Sequence, residues 1–329
     1  MEKKIRKIFD KVLKKSITLS SKAVANFING GFGTDYPLDS QITYNWTENY
    51  DDELNRTIAD GIMTINGEVS YHVEAQIGED EEMQFRVFDY GYRHALNRRN
   101  GSDVLYFPEP LVIYLYKHGK IPDEQTIVLD FGTQGQFLYK VKNFKLLSYT
   151  LEELNEKKML ILLPFMILKF RDELSKAKYR TKDNLMALKN FILDDILEIV
   201  DENVNLGNLT LADAGRIRNL LAELYRYLYA DYEECQKEGI NDMVEEGLVL
   251  EMDIIEHRHK MEMQQREKEV AEEVTREVTK EVTKEVTESM TASMVRNVYE
   301  EVQDIKRVSK LLKVPESKIQ EILESDAAD

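Results

Sequence analysis

Cysteine is almost absent: Cys235 stands alone among 329 residues, which excludes a disulfide framework and a cysteine-built metal site. Long apolar runs are missing too. The most apolar stretch, Met159 to Leu168, is ten residues long with Pro164 inside it, whereas a spanning helix needs about 18 or more. It reads as a buried core helix with a break, and no membrane partner is expected. Histidine is scarce, with five residues at no ligand-like spacing, no HExxH and no legible Ser–His–Asp order. The basic N-terminal stretch carries no apolar segment ending in a small-residue cleavage site, so a cytoplasmic location is expected. Net positive charge is lacking as well. The 44 Lys and Arg face 61 Asp and Glu, a formal charge of −17. That speaks against a general nucleic-acid coat, because non-specific affinity for phosphate comes from Lys and Arg.

What the chain does have is 43% hydrophobic residues, 9% of all residues being aromatic, enough for one large or two modest buried domains. Its charge is blocky. Residues 1–22 sum to +6, 31–82 to −12, 140–190 to +6 and 245–301 to −8; such blocks are ordinarily solvated faces. Ile5, Ile8, Phe9 and Val12, then Ala23 to Ile28, have helical spacing. Asn29-Gly30-Gly31-Phe32-Gly33 reads as a loop, since it lacks the Gly-Lys-Ser/Thr end of a P-loop.

From Ile58 the period changes to two. In Val69 to Ile77 the odd positions are apolar and the even ones polar, which predicts a strand with one wet face and makes His72 a surface histidine. The run Ile58 to Ile65 joins it through Asn66-Gly67, a strong hairpin signal. Then come an acidic turn at Glu79 to Glu82 and a helix from about Met83 to Leu96. Further strands are expected at Val104–Phe107, Leu111–Tyr116, Thr126–Phe131 and within Phe137–Tyr149. After Thr150 helices take over: Leu151 to Ala177, Asn184 to Val200, and Leu211 to Gln236, the last opened by a Thr210/Asp213 capping pair and carrying tyrosines 225, 227, 229 and 232, expected in the core. From about Val244 a charged rod begins.

The hairpin carries the candidate chemistry. Asp60 lies on its first strand, and Glu74-Ala75-Gln76 on its second. Opposed residues in an antiparallel pair point to the same side, so Asp60 joins Glu74 and Gln76 only if opposed residue numbers sum to an even value. That requires an odd loop, such as Ile65-Asn66-Gly67 with Gly67 left-handed. The same register aligns Ala59, Gly61, Met63 and Ile65 with Val69, Tyr71, Val73 and Ala75 into one apolar face. Asp60, His72, Glu74 and Gln76 are therefore expected on one polar face. Two close carboxylates repel unless a cation sits between them. A hard cation such as Mg²⁺ suits one or two carboxylates plus phosphate oxygens and waters.

Asp60, the hairpin, Glu74-x-Gln76 and the helix with Met83-x-x-Arg86-x-x-x-Tyr90 resemble the PD-(D/E)XK nuclease superfamily, in particular the bacterial recombination-promoting nuclease/putative transposase family. The likeness runs over roughly residues 16–240, including Asn45-Trp46-Thr47-Glu48, Phe107-Pro108-Glu109-Pro110, Leu129-Asp130-Phe131-Gly132 and Leu162-Leu163-Pro164-Phe165. It implies an α/β fold, a restriction-endonuclease-like mixed sheet flanked by helices. It further implies a DNA endonuclease with Asp60, Glu74 and the Ala75 carbonyl as ligands of Mg²⁺ or Mn²⁺, and Gln76 where the superfamily has Lys. Arg86 and Tyr90 would lie near the scissile phosphate, and Glu48 or Glu53 would supply an upstream acid. Ala59 replaces the superfamily's Pro. Gln76 holds no positive charge, so charge stabilisation falls on the metal and Arg86. The rival expectation is a catalytically inactive nucleic-acid-binding or oligomeric scaffold of the same fold.

The expected organisation is a nuclease-like core over 1–150, a helical region over 151–243 packing on it, a long charged helix over 244–303, and a short helical hairpin over 304–329. The rod holds Glu-Val-Thr-Arg/Lys repeats within 273–284, and its apolar row, Val270 to Val302, is spaced by four. On a helix such a row drifts about 40° per step, so it winds nearly once around and serves no straight coiled-coil seam. A marginal helix about 45–60 Å long and a homo-oligomer through it are expected. After Asp304 two short helices, Ile305–Lys313 and Glu316–Leu323, should pair, with Lys313 where a turn glycine is usual. DNA, if bound, must be held by segments 1–22 and 140–190 and by Arg86, Arg93, Arg98 and Arg99.

Overall fold

Strand order follows from which β-rich runs can bury both faces. The computed structural model describes residues 2–45, 48–50, 56–58, 61–78, 80, 82–99, 101–116 and 120–324. Its centre is a six-stranded mixed sheet built from β1 (Ile42–Asn45), β4 (Gly61–Ile65), β5 (Val69–Gln76), β6 (Glu109–Tyr114), β8 (Gln136–Lys145) and β7 (Glu124–Asp130), in that spatial order. Two short strands, β2 (Glu48–Tyr50) and β3 (Arg56–Ile58), pair separately. The expected run Ile58 to Ile65 is thus divided between two sheets. β5–β6 and β6–β8 are parallel and the other pairs antiparallel. The Val-Ile-Tyr run of β6 is central, as its apolar character predicts. Residues 104–107 are not a strand but an irregular segment, exposed at 104–106 and half-buried at Phe107.

Helices cover both faces. On one side α1 (Glu2–Ser16) and α2 (Ser21–Phe32) bury Phe9, Val12, Leu13, Val24 and Phe27 against Met63, Tyr71, Val73 and Ala75. On the other, α3 (Met83–Arg98) sets Met83 and Val87 against Val112, Tyr114, Ile127 and Val141. Gly30 and Gly31 are not a loop: they lie inside α2, where a Cβ on Gly30 would come within 2.0 Å of the Lys157 carbonyl oxygen. Gly33, with φ 72°, supplies the left-handed helix end.

The expected helix over 151–177 is broken into α4 (Leu151–Glu156), a buried 3-10 segment (Leu160–Phe170) and α5 (Arg171–Leu174). Pro164, lacking an N–H, sits inside the 3-10 segment. α6 (Lys182–Asn190) passes through a π-helical stretch, Phe191–Ile196, into α7 (Leu197–Asn205). α8 (Leu211–Leu228) opens with the expected Thr210/Asp213 capping box, and its helix ends before α9 (Glu233–Lys237) rather than running to 236. Asp213 also accepts from the Ser20 backbone N–H at 2.8 Å, tying α8 to the start of α2. Tyr225 and Tyr229 are core residues, as expected, whereas Tyr227 and Tyr232 are only half-buried.

The chain divides into two compact units, 1–259 and 260–329. α10 (Ile240–Val302) begins in the first, where Ile240, Val244 and Leu248 join the core. In the second unit the row Val270, Val274, Val278, Val282, Val286, Met290 and Met294 is 51–59% exposed. The threonines beside it donate their hydroxyls to carbonyls four residues back, as Thr283 does to Thr279 at 2.6 Å. The end of α10 packs with α11 (Ile305–Leu312) and α12 (Glu316–Glu324) around Val295, Val308 and Ile319. Lys313 takes the left-handed turn position, φ 55°. Among the described residues no helix is long and apolar enough to cross a membrane.

Candidate functional site

β4 and β5 pair Gly61↔Val73, Ile62↔His72, Met63↔Tyr71, Thr64↔Ser70 and Ile65↔Val69. Every pair sums to an even number, as the hydrophobic pattern requires. The loop is Asn66-Gly67-Glu68, one residue later than expected. Asn66 and Gly67 both have positive φ, 50° and 72°, and the Glu68 N–H donates to the Ile65 carbonyl at 2.9 Å.

Alternation along β5 puts Ser70, His72, Glu74 and Gln76 together on one side of the sheet, the α3 side, where His94 meets Ser70 and Tyr90 lies beside His72. The expectation that this face is wet is overturned. Residues 70–76 are all buried, with His72 at 0%, Glu74 at 3% and Gln76 at 5% exposure. The reason is topological: β5 lies between β4 and β6, and the β5–α3–β6 crossover lays a helix over the polar side. His72 is therefore no surface residue.

Buried polar groups need partners, and most here have them. His72 Nε2 lies 3.0 Å from Glu74 Oε1. Ser70 Oγ meets Thr64 Oγ1 at 2.8 Å, His94 Nε2 at 3.2 Å and the Arg98 guanidinium, which donates to it at 2.6 Å. Arg98 also donates to the Glu68 carbonyl at 3.0 Å and to that of Gly67, clamping the hairpin loop. His72 Nδ1 is buried without a hydrogen-bond partner. Burial, then the neighbouring Arg98 and His72, push the His94 imidazole below its ordinary pKa. Further along the same face, opposite Gln76 in the β6 register, Tyr114 donates to Gln125 at 3.3 Å; burial pushes its phenol up to about 12.

Asp60 lies outside the described residues, as does Glu53. Glu48 pairs with Ile58 through β2, and its side chain lies outside the described residues. Ala75 is buried on the α2 side. Tyr90 is buried, its ring 6.0 Å from that of His72. Arg86 is held by Asp80 at 2.8 Å, with a second nitrogen donating to Met83 Sδ at 3.3 Å.

No protein-family model, curated protein or solved structure matches this chain.

The donor types here, a carboxylate and a strand carbonyl, are those a hard divalent cation takes with phosphate and water. Among the described residues no three His, Cys, Asp or Glu side chains gather into a metal group, so a full donor set would need Asp60. Sequence reasoning missed the Ser70–His94–Arg98 cluster. A signal was present: Tyr90, His94 and Arg98 continue the sheet-facing row of α3 at four-residue spacing.

Proposed function

We propose that the chain is a divalent-metal-dependent DNA endonuclease with a PD-(D/E)XK fold, of the recombination-promoting nuclease/putative transposase type. The observation that carries the reading is the alternation of β5, which sets Glu74 and Gln76 on one side of a central strand, together with the even-sum pairing of β4, the strand that starts directly after Asp60. The mixed sheet with its β5–α3–β6 crossover is compatible with it. In this reading Asp60, Glu74 and the Ala75 carbonyl hold Mg²⁺ or Mn²⁺. The ion, when bound, supplies polarisation of the phosphodiester and a more acidic water. Gln76 orients the attacking water through its carboxamide, but cannot accept a proton. His72 fixes one Glu74 oxygen through its 3.0 Å contact. Arg86 must exchange Asp80 for a phosphate oxygen, and Tyr90 backs His72. Glu48 is the upstream acid.

One pair of contacts favours the second reading, a silent DNA-binding or scaffold protein of the same fold: Glu74 and Arg86 are already engaged, by His72 and Asp80 respectively. Nicking of supercoiled plasmid with Mg²⁺ or Mn²⁺ separates them. Wild type should nick, and Asp60→Ala or Glu74→Gln should lose at least about a hundredfold, since each removes a metal ligand. Equally intact plasmid with wild type and Asp60→Ala ends the enzyme reading. Retained DNA binding in that case would favour the silent protein.

Self-association through α10 stays in the proposal as a secondary contact. Rows spaced by four pack best at a crossing near −50°, so two copies would touch only over a short length. Val278→Glu with Val282→Glu should reduce any such association.

A further inference from the structure

α3 is apolar on two opposite sides. Met83, Val87, Tyr90 and His94 face the sheet and are buried. Phe85, Phe88, Tyr92 and Leu96 fall within a sector of about 80° on the other side, at 100° per residue. Phe85, Tyr92 and Leu96 are 49%, 40% and 41% exposed. A helix that is hydrophobic all round is normally a buried one.

This outer stripe does not end at the helix. Phe88 stacks on Phe107 at 5.6 Å, and Tyr92 lies 6.3 Å from the same ring. Beside Phe107 in the chain, Leu105 and Tyr106 are 36% and 64% exposed. Phe88 and Phe107 reach Tyr139 at 5.1 and 6.0 Å. Leu129 packs in the same cluster, and its cross-strand partner, Phe137, is 61% exposed. With a large side chain presenting about 200 Å², these six exposed residues leave roughly 600 Å² of apolar surface, at the top of what a monomer usually shows.

We propose that a second copy of this chain covers this face, the two α3 helices packing antiparallel across a two-fold axis near residue 91. Two such patches bury about 1,200 Å², the lower bound of a stable specific interface. Charge fits the same arrangement. Asp89 and Arg93 flank the stripe, 3.0 Å apart and about half exposed. An antiparallel pair centred near 91 sets Asp89 of each copy opposite Arg93 of the other and Phe85 near Leu96, which is the self-complementarity a two-fold interface needs. A parallel pair would set like charges level with each other. Arg93 is already paired with Asp89, and Leu96 and Leu105 give nucleobases nothing to stack on, so the face suits protein better than a nucleic-acid strand. The proposal stands independently of the nuclease reading.

The test is the mass of the full chain at tens of micromolar by sedimentation equilibrium. Wild type should weigh twice the 38.4 kDa of one chain. Leu96→Glu and Phe85→Glu should each give the single-chain mass and still melt cooperatively, at a midpoint that no longer depends on protein concentration, because neither side chain is in the chain's own core. Asp89→Arg and Arg93→Asp should each weaken the dimer at least tenfold, and mixing the two variants should restore it as a heterodimer. A monomeric wild type overturns the proposal. So does a dimer that survives these changes, or one split instead by Val278→Glu with Val282→Glu. A monomer whose binding of an oligothymidine strand falls with Phe85→Ala would overturn it in favour of base stacking.

Discussion

Acid should destabilise the first unit through His94. Its imidazole is 4% exposed, shares Ser70 Oγ with the Arg98 guanidinium and stands near His72. Burial, Arg98 and His72 together lower its folded pKa. In the unfolded chain it takes up a proton near pH 6.5. Between that value and the lower folded pKa, the unfolded state holds one proton more than the native state. Stability from this residue is therefore fully present above about pH 7.5 and falls as pH drops, by up to about 1.4 kcal/mol per unit. Against a total of about 5–15 kcal/mol for a domain, one unit of acid is readily measured. Urea midpoints by circular dichroism at pH 7.5, 6.5 and 5.5 supply the wild-type slope. His94→Gln keeps a donor for Ser70 but removes the titration, so its slope over the same interval should be shallower by about 1 kcal/mol per unit. Equal slopes in the two proteins would refute the linkage. A steeper slope in the variant would refute even its sign.

Three further outcomes follow from a helix cap and from packing. Asp213→Ala removes the acceptor for the Thr210 N–H at 3.0 Å, the Thr210 hydroxyl at 2.8 Å and the Ser20 N–H at 2.8 Å. It should cost about 3 kcal/mol, as loss of a charged, buried cap does, seen as a calorimetric midpoint several degrees lower. In the second unit Val282→Ala should change stability by less than about 0.5 kcal/mol, since Val282 is 51% exposed. Ile319→Ala, at 0% exposure, should cost about 2–5 kcal/mol in helical melting.

Local periodicity carried the hairpin. The alternation in 69–77 and the apolar odd positions of 61–65 were enough to set the parity of the register, because a one-residue slip would move every side chain across the sheet. What alternation cannot say is whether a polar strand face meets water or a helix. That depended on β6 lying parallel to β5, a pairing across 38 residues of chain, from Tyr71 to Glu109. Gly30 failed in the same way: its reason is the Lys157 backbone, 127 positions on. Ser20 and Asp213 meet across 193 positions. The candidate site was legible as Glu74 and Gln76 on one face. Its buried partners were not, because His72 reads as polar and exposed until α3 is laid over it.

The rows on α10 make its length a matter of indifference. Glu, Val, Thr and Lys each recur every four residues, so each Val follows another Val, and each Thr finds a carbonyl four places back whichever repeat it sits in. Deleting or duplicating one Glu-Val-Thr-Lys unit would leave all four rows continuous and break no core contact. It would shift the α11–α12 cap by about 6 Å along the helix axis and turn it by about 40°. The repeat number is therefore free to change without loss of a contact, like notches on a telescoping pole, while the cap beyond it, with Val308 and Ile319 fully enclosed, is not.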